Sequence, residues 1–162
     1  MFNIGIITAS DKGARGERED LSGKAIAEML AELGVVKHYV IVPDEREALS
    51  QAMIHMADTL QVDLILTTGG TGFGPRDVTP EATLDVIDRQ APGIPEVMRA
   101  KSLAITSRAM LSRAVAGLRA RTLIINLPGS PKGVRECLET ILPALEHGLS
   151  IAKGEAGECA RT

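Results

Sequence analysis

The chain has 162 residues, 44% of them hydrophobic and 24% charged, a length that suits one compact domain burying about two-thirds of its unfolded surface. With 18 basic against 21 acidic residues, a formal net charge of -3 and a pI near 5.6, it carries no electrostatic footprint for nucleic acid or an anionic membrane. Neither is expected as a partner.

Phe2 to Thr8 is a short apolar run, too brief for a membrane span and without the basic stretch of a signal peptide, and it reads as a first strand. Ile26, Met29, Leu30 and Leu33 then repeat at i, i+3, i+4 and i+7, a helix that Gly34 is expected to close. Val35 to Val42 follows as a second strand. A second helical stripe runs through Leu49, Met53, Met56 and Leu60, and Val62 to Thr68 is a third strand. From Pro80 to about Arg121 the sequence reads as helix and loop. Within it, an amphipathic stretch from Val97 to Ala104 has an apolar side available for a subunit contact. Thr122 to Leu127 is a fourth strand. The last helix carries Val134, Leu138, Ile141, Leu142, Leu145 and Leu149 at helical spacing, with a kink expected at Pro143. Residues 154–162 read as a polar tail. Alternating strands and helices make this an α/β protein: a single three-layer domain over residues 1–153, with a mainly parallel sheet and helices on both faces.

Two loops carry phosphate-binding grammar. After the third strand, Gly69-Gly70-Thr71-Gly72-Phe73-Gly74 lets backbone N–H groups approach an oxyanion, and Thr79 as N-cap with Pro80 behind it would start a helix whose N-terminus favours an anion. The same order recurs after the fourth strand, where Pro128-Gly129 leads into Ser130 as N-cap and Pro131 as first helical residue. Both loops fall at the carboxyl edge of a parallel sheet, where open α/β domains bind ligands, so one shared cleft is expected. Neither is a Walker A loop or a dinucleotide fingerprint. Asp44, after the second strand, and Asp77, in Pro75-Arg76-Asp77, can converge on that cleft. Two carboxylates with phosphate oxygens suit Mg²⁺, although acids in loops also serve as solvated or capping groups.

Several segments together resemble the MogA/MoaB-type molybdenum-cofactor family, which includes molybdopterin adenylyltransferases and a domain of gephyrin. They are Thr68 to Gly72 with Arg76 to Thr83, Gly93 to Arg99, Ala109 to Arg113 with Ala116-Gly117, and Asn126 to Pro131, together with Ser10-Asp11 and Val42-Pro43-Asp44. The resemblance implies a nucleotidyltransferase that moves AMP from ATP to the terminal phosphate of molybdopterin, with Asp44 and Asp77 as the essential acids acting on Mg²⁺ and the ATP phosphates. It implies that the amides of Gly69, Gly70, Thr71 and Gly72, with Pro128, Gly129 and Ser130, hold phosphates. Ser10, Asp11, Asp20, Ser22 and Ser112 look like the family's polar pocket lining, and Arg76, Arg113 or Lys132 would offset charge on the leaving pyrophosphate. A homotrimer, with other molybdenum-cofactor synthesis proteins as further partners, is also implied. Some relatives share the pattern without the activity, so a non-catalytic molybdopterin-binding carrier is the alternative. A phosphoacceptor receiver domain fits poorly, because no paired acids follow the first strand.

Cys137 and Cys159 have no C-x-x-C or metal-ligand spacing, so a reducing, cytoplasmic setting is expected. His38, His55 and His147 are scattered without ligand spacing. With aromatic residues at 2%, Phe73 in the glycine loop is the one well-placed stacking candidate, leaving base recognition mainly to the backbone and aliphatic walls.

Overall fold

Each apolar run of strand length forms a strand because its branched residues bury on both faces of a covered sheet. The computed structural model describes residues 1–155. In chain order these form β1 (Phe2–Ala9), α1 (Asp11–Ala14), α2 (Leu21–Met29), β2 (Gly34–Val42) and α3 (Arg46–Ile54), which runs into a π-helical turn at His55–Thr59. There follow β3 (Leu64–Thr68), α4 (Thr79–Val86), β4 (Arg89–Gln90), α5 (Gly93–Leu103), a 3-10 turn at Ser107–Leu111, β5 (Ala116–Arg119), β6 (Thr122–Leu127) and α6 (Pro131–Lys153). The sheet order is β2-β1-β3-β6-β5-β4. The pairs β1–β2, β1–β3 and β3–β6 are parallel, and only β4–β5 and β5–β6 are antiparallel.

Strand alternation sorts the core into two layers. Ile4, Ile6, Leu64, Leu66, Leu123, Ile125 and Leu127 face α2, α5 and α6, meeting Ile26, Met98, Val134, Leu138 and Leu145. Ile7, Ile65 and Ile124 face the other way, onto Leu49 and Met53 of α3, Met56 of the π-helical turn, and Ala82 and Val86 of α4. The expected three-layer α/β architecture is therefore the observed one. Among the described residues, no helix is long and apolar enough to cross a membrane.

Three local expectations are corrected. Gly34 does not close a helix: α2 ends at Met29, a turn follows, and Gly34 opens β2, where an added Cβ would crowd the Phe2 carbonyl across the strand pair. Thr79 is not a cap. It is the first residue of α4, and its hydroxyl donates to the Gly69 carbonyl at 2.9 Å, pinning the glycine loop. The stretch from Pro80 to Arg121 contains two strands as well as helix, with Ala120 in the left-handed region at the turn from β5 to β6. Pro143 lies inside α6, which ends where Gly154 adopts φ +77°. Most of the expected polar tail, including Cys159, lies outside the described residues.

Candidate active site

Parallel pairing of β1, β2, β3 and β6 delivers four loops to one edge of the sheet, beside the reversal of strand order between β1 and β3. The loop after β1 supplies Ser10 and Asp11, and the loop after β2 supplies Asp44. From β3 come Gly69, Gly70 and Asp77, and from β6 come Gly129 and Ser130. With Asp20 and Ser22 at the start of α2, all of these line one cavity of about 640 Å³.

The glycine loop is shaped by contacts that exclude side chains. Gly69 and Gly70 adopt φ +90° and +69°, a region costly for other residues. A Cβ on Gly69 would lie 2.5 Å from the Ala9 carbonyl, and one on Gly70 would collide with Thr79 Oγ1 and lie 3.3 Å from Asp44 Oδ1. Opposite, Ser130 caps α6 by accepting from the Gly133 amide at 3.1 Å, and Ser22 Oγ donates to the Gly129 carbonyl at 2.7 Å.

Five acidic residues line this cavity; Glu19 pairs with Lys24, and the protein treats the four aspartates differently. Asp11 laces three loops together. Its amide donates to Asp44 Oδ2 and its Oδ1 accepts from the Asp44 amide, both at 3.0 Å, while Arg76 forks onto it with Nε–Oδ2 at 2.6 Å and Nη2–Oδ1 at 2.9 Å. The Arg76 hydrogen bond holds the Asp11 carboxyl below the usual carboxylate range, helped by its contact with Asp44. Asp20 caps α2 through Oδ1 and the Gly23 amide, while its Oδ2 accepts from Thr8 Oγ1 at 2.6 Å and from the Tyr39 hydroxyl. Burial first, and then Asp20, push the Tyr39 phenol up to about 12. Asp44 and Asp77 are less committed. Asp77 Oδ2 accepts from the Gly74 amide at 2.9 Å, and Asp44 accepts the single bond from Asp11. Burial pushes the half-buried Asp44 carboxyl up, and the negative charges of Asp11 and Asp77 add to that.

The remaining expected site residues fall elsewhere. Thr71, Gly72, Ser112 and Pro128 line a second, more apolar cavity of about 590 Å³, which shares Ser130 with the first. The single cleft expected is thus two cavities meeting at one residue. Met98, Arg99 and Ser102 of α5 wall the second cavity together with Cys137; the Gly93 to Arg99 segment resembles the family, but the sequence assigns it no site role. Phe73, 70% exposed, and Lys132 also border it. Arg76 lines neither cavity, being engaged by Asp11. Arg113 lines neither cavity as well: its Nε donates to the Gly72 carbonyl at 2.8 Å, its Nη2 to the Asp77 carbonyl at 2.7 Å, and its Nη1 to Glu81 Oε1.

Oxygen donors predominate around the first cavity. Among the described residues, no group of three or more His, Cys, Asp or Glu side chains converges to hold a metal. Asp44 and Asp77 nonetheless fit Mg²⁺, which binds through one or two carboxylates plus substrate oxygens rather than an all-protein cage. Burial first, and then the charges of Asp11 and Asp77, raise the Asp44 carboxyl against the opposing charge of Arg76, and Lys12 and Arg18 line the same cavity.

The chain is similar to known proteins over nearly its whole length. Over 156 residues the chain is 49% identical to the molybdopterin adenylyltransferase of Helicobacter pylori strain J99, covering 94% of this chain and 89% of the relative. It is 40% identical over 155 residues to the molybdopterin adenylyltransferase of Escherichia coli K12, covering 91% and 80%. The crystal structure of the molybdopterin biosynthesis enzyme MoaB from Thermus thermophilus superposes with a TM-score of 0.90 at 54% identity, covering 95% of this chain and 98% of that one. The family model described as "Probable molybdopterin binding domain" matches residues 5–147, and the chain belongs to that family.

Proposed function

We propose that the protein is a Mg²⁺-dependent molybdopterin adenylyltransferase, transferring AMP from ATP to the terminal phosphate of molybdopterin with release of pyrophosphate. The observation that carries this is the pairing, in one cavity, of positive-φ glycines with two carboxylates from different loops that the protein leaves largely uncommitted. Relatives at 49% and 40% identity bear that name.

The reaction needs no side-chain nucleophile. A terminal phosphate oxygen of molybdopterin forms a bond to the α-phosphorus of ATP as the bond to the bridging β-phosphate oxygen breaks, and pyrophosphate leaves with the electron pair. Catalysis of this kind is positioning and charge stabilisation. Gly69 and Gly70 keep the loop free of side chains so that phosphate oxygens can approach the backbone. Ser130, on the boundary of the two cavities, stands where the two ligands meet, and Phe73 offers a ring face beside the second. Asp44 and Asp77 would hold Mg²⁺, which supplies charge neutralisation at the α-phosphate and the departing pyrophosphate.

A homotrimer in a reducing cytoplasm is part of the same reading. Leu103, Ile105, Met110 and Leu111 are exposed apolar residues around the end of α5 and the following 3-10 turn, surface of the kind that a subunit covers.

Purified protein with molybdopterin, ATP and Mg²⁺ is expected to release pyrophosphate, and release should require all three. Asp77→Asn keeps an oxygen for the Gly74 amide and should fold, yet lose about 10²–10³-fold in turnover, the scale of removing one group that stabilises transition-state charge. No pyrophosphate from a protein that binds molybdopterin would favour the carrier instead.

A further inference from the structure

We infer that Arg113 is a positioning residue that sets the Asp77 carboxylate by clamping both limbs of the glycine loop, an inference that rests on the proposed role of Asp77. The loop leaves β3 through Thr71 and Gly72, turns through Gly74, and returns through Asp77 into α4. Thr79 joins the limbs at the base of the loop, through the Gly69 and Gly70 carbonyls, and Arg113 joins them further out. The Arg113 amide donates to the Thr71 carbonyl at 2.8 Å and its Nε to the Gly72 carbonyl at 2.8 Å, while its Nη2 reaches across to the Asp77 carbonyl at 2.7 Å. Nη1 pairs with Glu81 Oε1 on the first turn of α4, the helix into which the loop runs, and the other Glu81 oxygen is buried without a hydrogen-bond partner.

The clamp is itself held from behind. Arg99 of α5 donates to the carbonyls of Ser112, at 3.3 Å, and Ala114, at 2.8 Å, on either side of Arg113. A guanidinium presents its donors in a rigid planar fork, so three acceptors on two chain segments acquire a fixed separation; a lysine ammonium is a compact point charge that does not reproduce it. Because Arg113 lines neither cavity, its charge is spent on loop carbonyls and Glu81, not on a leaving group. The Asp77 carboxylate has little slack. A Cβ on Gly72 or Gly74 would lie 3.0 or 2.9 Å from Asp77 Oδ2, so the carboxylate rests against the same loop that the fork holds.

The test is a double-mutant cycle of Arg113→Lys with Asp77→Asn, read as pyrophosphate release from ATP and molybdopterin. Alone, Arg113→Lys should lower turnover at saturating ATP about 10–100-fold with the KM for ATP changed less than about threefold, the scale of misplacing a catalytic group. In the Asp77→Asn background it should cost less than about twofold further, because the group it positions is already disabled. A merely structural defect would lower both backgrounds alike. Turnover of Arg113→Lys within about threefold of wild type overturns the inference, as does a loss carried by KM, or a full additive loss beside Asp77→Asn. Near-wild-type turnover of Asp77→Asn overturns the role of Asp77 and this inference together, whereas an impaired Asp77→Asn with additive Arg113→Lys overturns this inference alone. Should Arg113→Lys fail to unfold as one cooperative transition, Glu81→Gln takes its place in the same cycle, with the same outcomes deciding.

Discussion

Asp44→Asn should move activity and stability in opposite directions, because the charge that the proposed reaction uses is one that folding works against. The variant keeps an oxygen to accept from the Asp11 amide, now at 3.0 Å, and removes a negative charge from beside Asp11 and Asp77. Burial and those neighbours raise the folded Asp44 carboxyl above its ordinary value. A carboxyl raised on folding contributes stability that is present below its unfolded pKa and is lost as pH rises through the folded one. At pH 7 the ionised group is therefore a net cost. Asparagine removes that cost, but Asp44 is only half-buried and solvent screens most of the repulsion, so the gain is under about 1 kcal/mol. For a chain of this size that is at most about 2–4 °C in Tm. Turnover should instead fall about 10²–10³-fold, roughly 3–4 kcal/mol of transition-state stabilisation. Thermal unfolding in EDTA should show the variant at or above the wild-type Tm at pH 7, with the gap closing on acidification below the ordinary carboxylate range. Wild-type turnover should decline with acid as Asp44 protonates. A variant that loses several degrees at pH 7 and keeps turnover within about threefold would refute both halves of the reasoning.

Gly129→Ala probes the phosphate loops without straining them, since an added Cβ there meets nothing closer than Gly69 Cα at 3.5 Å. It should unfold within about 2–4 °C of wild type and weaken ATP binding by calorimetry, and unchanged affinity would remove that loop from the site. Light scattering should give a trimer at micromolar concentration, and a monomer would free the apolar residues from Leu103 to Leu111 of an interface role.

Local periods were legible in the sequence, and so was one of the two caps read before a proline; at Thr79 the hydroxyl goes to the Gly69 carbonyl instead. β6 is read with its observed ends because Thr122-Leu-Ile-Ile-Asn-Leu127 is buried throughout. Ser130 is read as a cap because Pro131 follows it. β4 and β5 left no such trace. Arg89 and Gln90 are two exposed residues, and Ala116–Arg119 pairs through backbone hydrogen bonds that no side-chain pattern announces. Cations were the least legible of all. The resemblance implied that Arg76 or Arg113 would meet a leaving pyrophosphate. Their partners are distant in the chain: Asp11 lies 65 residues before Arg76, and the Asp77 carbonyl 36 before Arg113.

Gly70 shows the same limit from the other side. As sequence it reads as a gap left for phosphate, and Gly70→Val as a clean way to block a ligand. In the fold its missing side chain faces Thr79 and Asp44, so valine would displace the hydroxyl that pins Gly69 before it obstructed any ligand. The glycine is required first by the packing of the loop. The open space that a ligand can use comes from what that packing leaves on either side, Gly69 and Gly70 bordering one cavity and Thr71 and Gly72 the other. A transfer between two phosphorylated ligands needs two binding spaces that meet at one reacting point. Gly69 to Gly72 are consecutive residues of one turned loop, and Ser130 borders both cavities, so residues that look like one motif in the sequence line two pockets in the fold.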